Sequence, residues 1–315
     1  MPQDAIAPAD ALREAEAAGN DAAAEARAEV LKRAKLRPNA TEPATGPQTG
    51  SNKRGSKLFK RPVSAKWHTF DVDVWITNFN SVEFGFFKRS RNKAKSRQFT
   101  SDMDIYAEIT ENGERTGLLG YREELWTKQT GFDKRLVFKL FGEKLNWHAT
   151  MDLMLGRSVQ ETIGARGIPV PSYAINTNDH EQVVYLERSA NKWPLMAEHF
   201  SFFLMEDGLL TFYRVRQDLL SIGRDYSVFD ATGKKVAVLD GKILSVGGRW
   251  SCRVLKEHKD TRLCAVLKLF TGMLVFNTAC RRHVKSLSRQ VMAGTVKPKL
   301  QRQEADLYMN PRRVR

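Results

Sequence analysis

LLSIGRDYSVFDATGKKVAVLDGKILSVGGRWSCRV, residues Leu219 to Val254, is the stretch that decides the fold. Tyr226 and Val228, then Val236 and Val238, alternate with other residues, the period-two pattern of half-buried strands. Between them Asp230-Ala231-Thr232-Gly233 is turn chemistry: Asp bonds the backbone two residues on, and Gly accepts positive φ without a steric cost. Asp240-Gly241 predicts a tight hairpin turn between Val236–Leu239 and Ile243–Val246. Gly247-Gly248 makes the next break, and Trp250 to Leu255 is another strand. The segment that follows, Leu263 to Asn277 (LCAVLKLFTGMLVFN), is apolar on almost every side, with Lys268 and Thr271 as the main exceptions. A helix apolar all round has to be buried in protein or in lipid. Fifteen residues reach only about 22 Å, against roughly 30 Å for a bilayer core, and Lys268 is costly in mid-membrane. The segment therefore reads as the core helix of an antiparallel β-barrel. A membrane span, and a buried strand pair broken at Thr271-Gly272, are the alternatives.

Strand signals continue upstream. Phe70, Val72, Val74 and Ile76 alternate with Asp71, Asp73, Trp75 and Thr77, and Val82 to Phe87 is the expected partner strand. Met103–Thr110, Leu118–Trp126, Arg135–Phe141, Val183–Arg188, Phe200–Met205 and Leu209–Val215 read as extended, while Trp147–Leu155 is ambiguous. Gly164 to Asp179, with Pro169, Pro171, Asn176 and Asn178, reads as a surface loop. Tyr106 precedes Gly113 at the spacing that separates Tyr226 from Gly233. This is either an internal duplication or two ordinary hairpins.

Residues 1–62 read as an appendage. Ala11 to Leu36 favours helix by composition yet has no wide apolar face, and the following Pro-, Gly-, Ser- and Thr-rich run reads as a disordered linker. Residues 63–278 form the expected barrel, with its core helix at 263–277. Residues 279–315 form a basic helix and tail. Within it Thr278 to Met292 is a basic amphipathic helix candidate, with Val284, Leu287 and Val291 as its apolar stripe.

The net charge of +15 is concentrated. Lys88 to Arg97 (KRSRNKAKSR) holds six basic residues and no acid, and Arg281 to Arg315 has a net charge of +8. Two such segments point to an acidic partner more than a uniformly basic surface does. Cys252, Cys264 and Cys280 lack metal-ligand spacing and read as reduced thiols. The first residues carry acids and no basic-then-apolar leader pattern, so a cytoplasmic, peripherally membrane-associated protein is expected. The six histidines stand singly, with no HExxH, no phosphate-cradling loop and no GxSxG elbow. Glu123-Glu124, adjacent in an expected strand, would point to opposite faces. No enzyme, cofactor or metal is expected.

Leu220-Ser221-Ile222-Gly223, Tyr226-Ser227-Val228, Asp230, Gly233 and Asp240-Gly241-Lys242 together resemble the LURP-one-related and phospholipid-scramblase group of the tubby-like superfamily. The resemblance is clearest from Tyr213 to Leu269. It implies an antiparallel barrel of about a dozen strands around a buried C-terminal helix. It also implies a non-catalytic module that binds anionic, phosphoinositide-like headgroups through surface Lys and Arg. No calcium-ligand cluster stands beside the apolar helix, so no calcium response is expected. Charge density alone nominates Lys88, Arg89, Arg91, Lys93, Lys95 and Arg97, with Arg281, Arg282, Lys285 and Arg289 of the basic helix. Each adds about 1 kcal/mol near an acidic leaflet. Two other readings stay open: nucleic-acid binding, with Phe86, Phe87 and Phe99 as stacking platforms, and a scaffold whose N-terminal arm recruits a protein partner.

Overall fold

The structure, a computed structural model, describes residues 66–74, 98–100, 102–190, 197–206, 209–218, 225–242 and 248–309. The expected N-terminal helix and linker, the strand at Val82–Phe87 and the basic run Lys88 to Arg97 lie outside them. The chain divides into two compact units, 1–60 and 61–315, and the description concerns the second.

Twelve strands form a closed antiparallel barrel in which each strand pairs with the next and the last returns to the first. They are β1 (Trp67–Val74), β2 (Asp104–Glu111), β3 (Glu114–Tyr121), β4 (Val137–Gly142), β5 (Trp147–Leu153) and β6 (Ser172–Thr177), then β7 (Val184–Arg188), β8 (His199–Glu206), β9 (Leu209–Gln217), β10 (Tyr226–Phe229), β11 (Lys235–Lys242) and β12 (Arg249–Leu255). Among the described residues five α-helices accompany them: α1 (Glu123–Thr127), α2 (Leu155–Gly164), α3 (Thr261–Met273), α4 (Asn277–Met292) and α5 (Arg302–Met309). Closure runs from Trp67 opposite Leu255 to Asp73 opposite Arg249, which removes every free sheet edge. In β1, Phe70, Val72 and Val74 are buried as the alternation requires.

α3 threads the barrel. Leu263, Val266, Leu267, Leu269, Phe270 and Met273 are completely buried, each contributing roughly 1.5–3 kcal/mol by burial. Phe270 packs edge-on against Phe200 and Tyr226, with centroids 5.1 and 5.4 Å away. Gly272 permits the closest approach to the wall, since a Cβ there would meet the Tyr106 hydroxyl at 2.5 Å. The helix starts at Asp260, whose Oδ1 accepts a hydrogen bond from the Arg262 amide at 2.9 Å, a side-chain cap of the kind that satisfies an orphan donor. Instead of running from 263 to 277, it breaks after Met273, and α4 leaves at 74°. No single helix among the described residues is long and apolar enough to cross a membrane.

The structure corrects several local expectations. Asp240-Gly241 is not a turn: Asp240 pairs with Ser251 and Gly241 with Trp250 inside β11 and β12. The Asp225 carboxylate accepts from the Gly241 amide at 2.8 Å. Lys242 still pairs with Arg249, and positive φ appears at Gly248, at +113°. Glu123 and Glu124 are in the first turn of α1, where acids suit the helix dipole. Gly164 to Asp179 is not all surface loop, because it contains β6, buried along nearly its whole length. Trp147–Leu155 resolves into β5 and the start of α2. The Asp230 turn is as expected: Asp230 Oδ1 accepts from the Thr232 and Lys234 amides at 2.9 and 3.0 Å, and Gly233 has φ +82°. The matching hairpins are β2–β3 and β10–β11, a spacing that does not divide the barrel into equal halves.

Antiparallel order gives the barrel two unlike ends. One, the hairpin end, carries the β2–β3, β4–β5, β6–β7, β8–β9 and β10–β11 turns and the entry of α3. The other, the helix end, carries α1, α2 and the exit of α3 into α4 and α5. The chain leaves β1 at Val74 and re-enters β2 at Asp104 on the helix end.

Candidate functional site

α4 lies across the helix end with Cys280, Val284, Leu287 and Ser288 buried and Val291 partly buried against the core. Its apolar stripe is therefore spent inside the protein. The stripe is not the free apolar face of an amphipathic helix lying on a membrane or on nucleic acid, and the cationic face is turned outward. A polar hub fixes this placement. Glu198, 7% exposed, accepts from Arg188 Nε at 2.5 Å, Asn277 Nδ2 at 2.8 Å and the Tyr226 hydroxyl at 3.1 Å. Arg281 Nη1 lies 3.5 Å from the same carboxylate. Arg281 is thus a structural partner of Glu198 more than a surface ligand, and burial together with Arg188 lowers its pKa.

Arg282, Lys285 and Arg289 are exposed. Lys285 and Arg289, one turn apart, border a groove of about 540 Å3 together with Arg166. Arg166 arrives there through the end of α2. Its amide bonds the Ile163 carbonyl at 3.0 Å, and the Gly167 amide bonds the Thr162 carbonyl at 2.8 Å, the hydrogen-bond pair of a Schellman motif. Arg166 itself takes φ +55°, uncommon for a residue with a Cβ, and its cation sits where the helix dipole favours positive charge. The groove walls also include Ile163, Ile168 and Met292, and no acid among the described residues lines it. Met292 is 70% exposed. Cations beside apolar side chains, with no competing carboxylate, suit an anionic headgroup at an interface.

The nominated cations fare unequally. Lys88, Arg89, Arg91, Lys93, Lys95 and Arg97 lie outside the described residues. Lys285 and Arg289 come together, Arg282 is exposed one turn away, and Arg281 turns to the hub. Arg166 was missed, and Gly164-Ala165-Arg166-Gly167 was its only signal. Phe99, proposed as a stacking platform, is buried edge-on against Phe141 at 5.2 Å and is closed to bases. The basic tail is not wholly a tail. Glu304 Oε2 and Oε1 accept from the Gly156 and Arg157 amides at 2.9 and 2.7 Å. This carboxylate caps α2, whose own N-cap residue Met154 offers no side-chain bond. Leu307 docks beside Met154 and Ala174.

Among the described residues no group of His, Cys, Asp and Glu is arranged to hold a metal. The three cysteines are unpaired in disulfides and buried. Burial pushes the Cys264 thiol up to about 11 and the Cys280 thiol up to about 12, so neither is an activated nucleophile. No family model, no curated protein and no solved structure matches the chain.

Proposed function

We propose that the protein is a non-catalytic module that binds anionic, phosphoinositide-like lipid headgroups at the cytoplasmic membrane surface, with the helix end toward the bilayer. The observation that carries this is the groove in which Arg166, Lys285 and Arg289 stand beside Ile163, Ile168 and Met292 with no acid among them. The basic run Lys88 to Arg97, which lies outside the described residues, supports the reading through added charge. So does the resemblance of the Leu220–Lys242 signatures to tubby-like proteins, as a family-level expectation. Nucleic-acid binding is less favoured because Phe99 is unavailable for stacking.

Co-sedimentation with neutral, generally anionic and phosphoinositide-containing vesicles at physiological salt tests it. Binding is expected only to acidic vesicles. Three cations at about 1 kcal/mol each make the Arg166→Gln, Lys285→Gln, Arg289→Gln variant roughly 100-fold weaker. Charging Leu209 and Leu210 to Asp, exposed at the hairpin end, leaves binding unchanged. Equal binding to neutral vesicles, or full binding by the groove variant, would overturn the reading.

A further inference from the structure

At the hairpin end the barrel is open where α3 enters. A cavity of about 290 Å3 lies between the inner wall of β1 to β6 and one face of α3, made by Thr261, Cys264, Ala265 and Lys268. Those positions follow the three-and-four spacing of a single helix face. The cavity has an apolar side, with Ile109, Leu140 and Phe141, and a polar side, with His68, Glu111, His148 and Thr177.

Two features of the polar side call for a ligand. Lys268 is a cation two turns into the core helix, with its side chain only 16% exposed. Its Nζ donates to Glu111 Oε1 at 2.8 Å and lies 5.0 Å over the Phe70 ring. An ammonium carries three donors, and this carboxylate takes one. Thr177 is 2% exposed, and its Oγ1 has no hydrogen-bond partner among the described residues, a cost that buried hydroxyls rarely carry unanswered.

The sign of the ligand follows from Lys268, whose ammonium has two donors beyond the one that Glu111 takes. The other charged groups that line the mouth are Lys259, Asp179 and Asp260. Asp260 is engaged at the start of α3, with Oδ1 on the Arg262 amide and Oδ2 3.5 Å from Arg262 Nε. Asp179 stands at the rim with His180, 3.9 Å away. Burial lowers the pKa of both His68 and His148, which keeps them neutral donors or acceptors near pH 7. At roughly 30 Å3 for each water-sized group, the space takes about ten such groups. We infer that the barrel mouth binds a small organic anion, a carboxylate on a short apolar body. The carboxylate is met by Lys268 and the Thr177 hydroxyl, and the body lies on Ile109 and Leu140. This site is at the opposite end from the lipid-facing groove and does not depend on it.

Isothermal titration of the full chain with benzoate, and with benzamide as its uncharged counterpart, tests the assignment. Benzoate is expected to bind saturably at one site, about tenfold more tightly than benzamide, a difference typical of one charge-assisted hydrogen bond. Lys268→Met should weaken benzoate binding about tenfold or more. Thr177→Val keeps the side-chain shape and separates binding from folding. It should weaken benzoate several-fold while the melting temperature holds or rises. Vesicle binding should be unchanged in both variants. No saturation at millimolar benzoate, equal binding of benzamide, or wild-type affinity in Thr177→Val with a raised melting temperature would overturn the inference.

Discussion

At the hairpin end, turns of two to six residues join the strands, too short to fold over the opening, and the wall stays open beside α3. At the helix end, longer connections supply α1 and α2, α4 closes over the core, and α5 docks beside Met154 and Ala174. The same twelve strands therefore present an open mouth at one end and a lid at the other. Connection length decides which end has material to bury α3, and hence where cations can be displayed on a solid surface. It also decides where polar groups must be satisfied internally. The lid hides Glu198 with four partners, while the mouth leaves Thr177 with none among the described residues.

The largest test of this contrast removes the hub. Glu198→Ala leaves the guanidinium of Arg188, itself 7% exposed, without its carboxylate, and breaking a buried pair costs about 3–5 kcal/mol. Denaturant unfolding should show that loss, or no folded protein at all. The Arg188→Met, Glu198→Met double variant should recover part of it, since replacing both partners by apolar groups is far less costly. A loss under about 1 kcal/mol in the single variant would mean that the lid is held by packing alone.

A smaller effect is expected at α5. Glu304→Ala removes the cap of α2 and uncovers the Gly156 and Arg157 amides, a change of about 1–2 kcal/mol. Amide exchange at those two positions should accelerate, while exchange in β9 to β12 stays unchanged. Uniform acceleration across the barrel would show that α5 is part of one cooperative unit with it, not a latch on α2.

Most of the barrel is legible in the sequence because it rests on local rules. Alternation in β1 and the Asp230–Gly233 turn each need only neighbouring residues to be interpreted. Leu263 to Met273 announces a buried helix by having no polar face. The errors occur where a distant partner decides. Asp240-Gly241 has the chemistry of a turn, but pairing with Trp250 and Ser251 and the Asp225 carboxylate keep it in register. α2 is stabilised by Glu304, 148 residues away, and no local signal announces that cap. The candidate sites divide in the same way. Lys285 and Arg289 were visible as charge on a helix, whereas Arg166 joins them only through tertiary packing. Lys268 looked like an exception in an apolar run until Glu111 came into view across the barrel.

The smallest expected effect separates the two ends by pH. His283, on the lid, has its pKa lowered from 6.5 by burial first and by Lys134 second, against an opposing hydrogen bond to the Gly131 carbonyl. His68 and His148, at the mouth, are also lowered, with burial as the leading cause. For each, the unfolded chain binds a proton more readily than the folded one below pH 6.5, so folding releases protons there. Stability is then complete above 6.5 and falls as pH drops from 6.5 through the folded-state values. Glu111 and Asp102, with pKa values lowered in the fold, lose their contribution only at more acid pH, below the ordinary carboxylate range. Unfolding midpoints between pH 7.5 and 5 should therefore decline, with Asp73, Asp152 and Glu304, whose pKa values burial raises, opposing the decline at its acid end. His283→Gln should flatten part of that decline while leaving benzoate affinity unchanged across the same range. His148→Gln should flatten another part and also alter the pH dependence of benzoate binding, because its ring borders the cavity. If His283→Gln changed benzoate binding as much as His148→Gln, lid and mouth would be energetically coupled through α3, and the two ends could not be treated as independent sites.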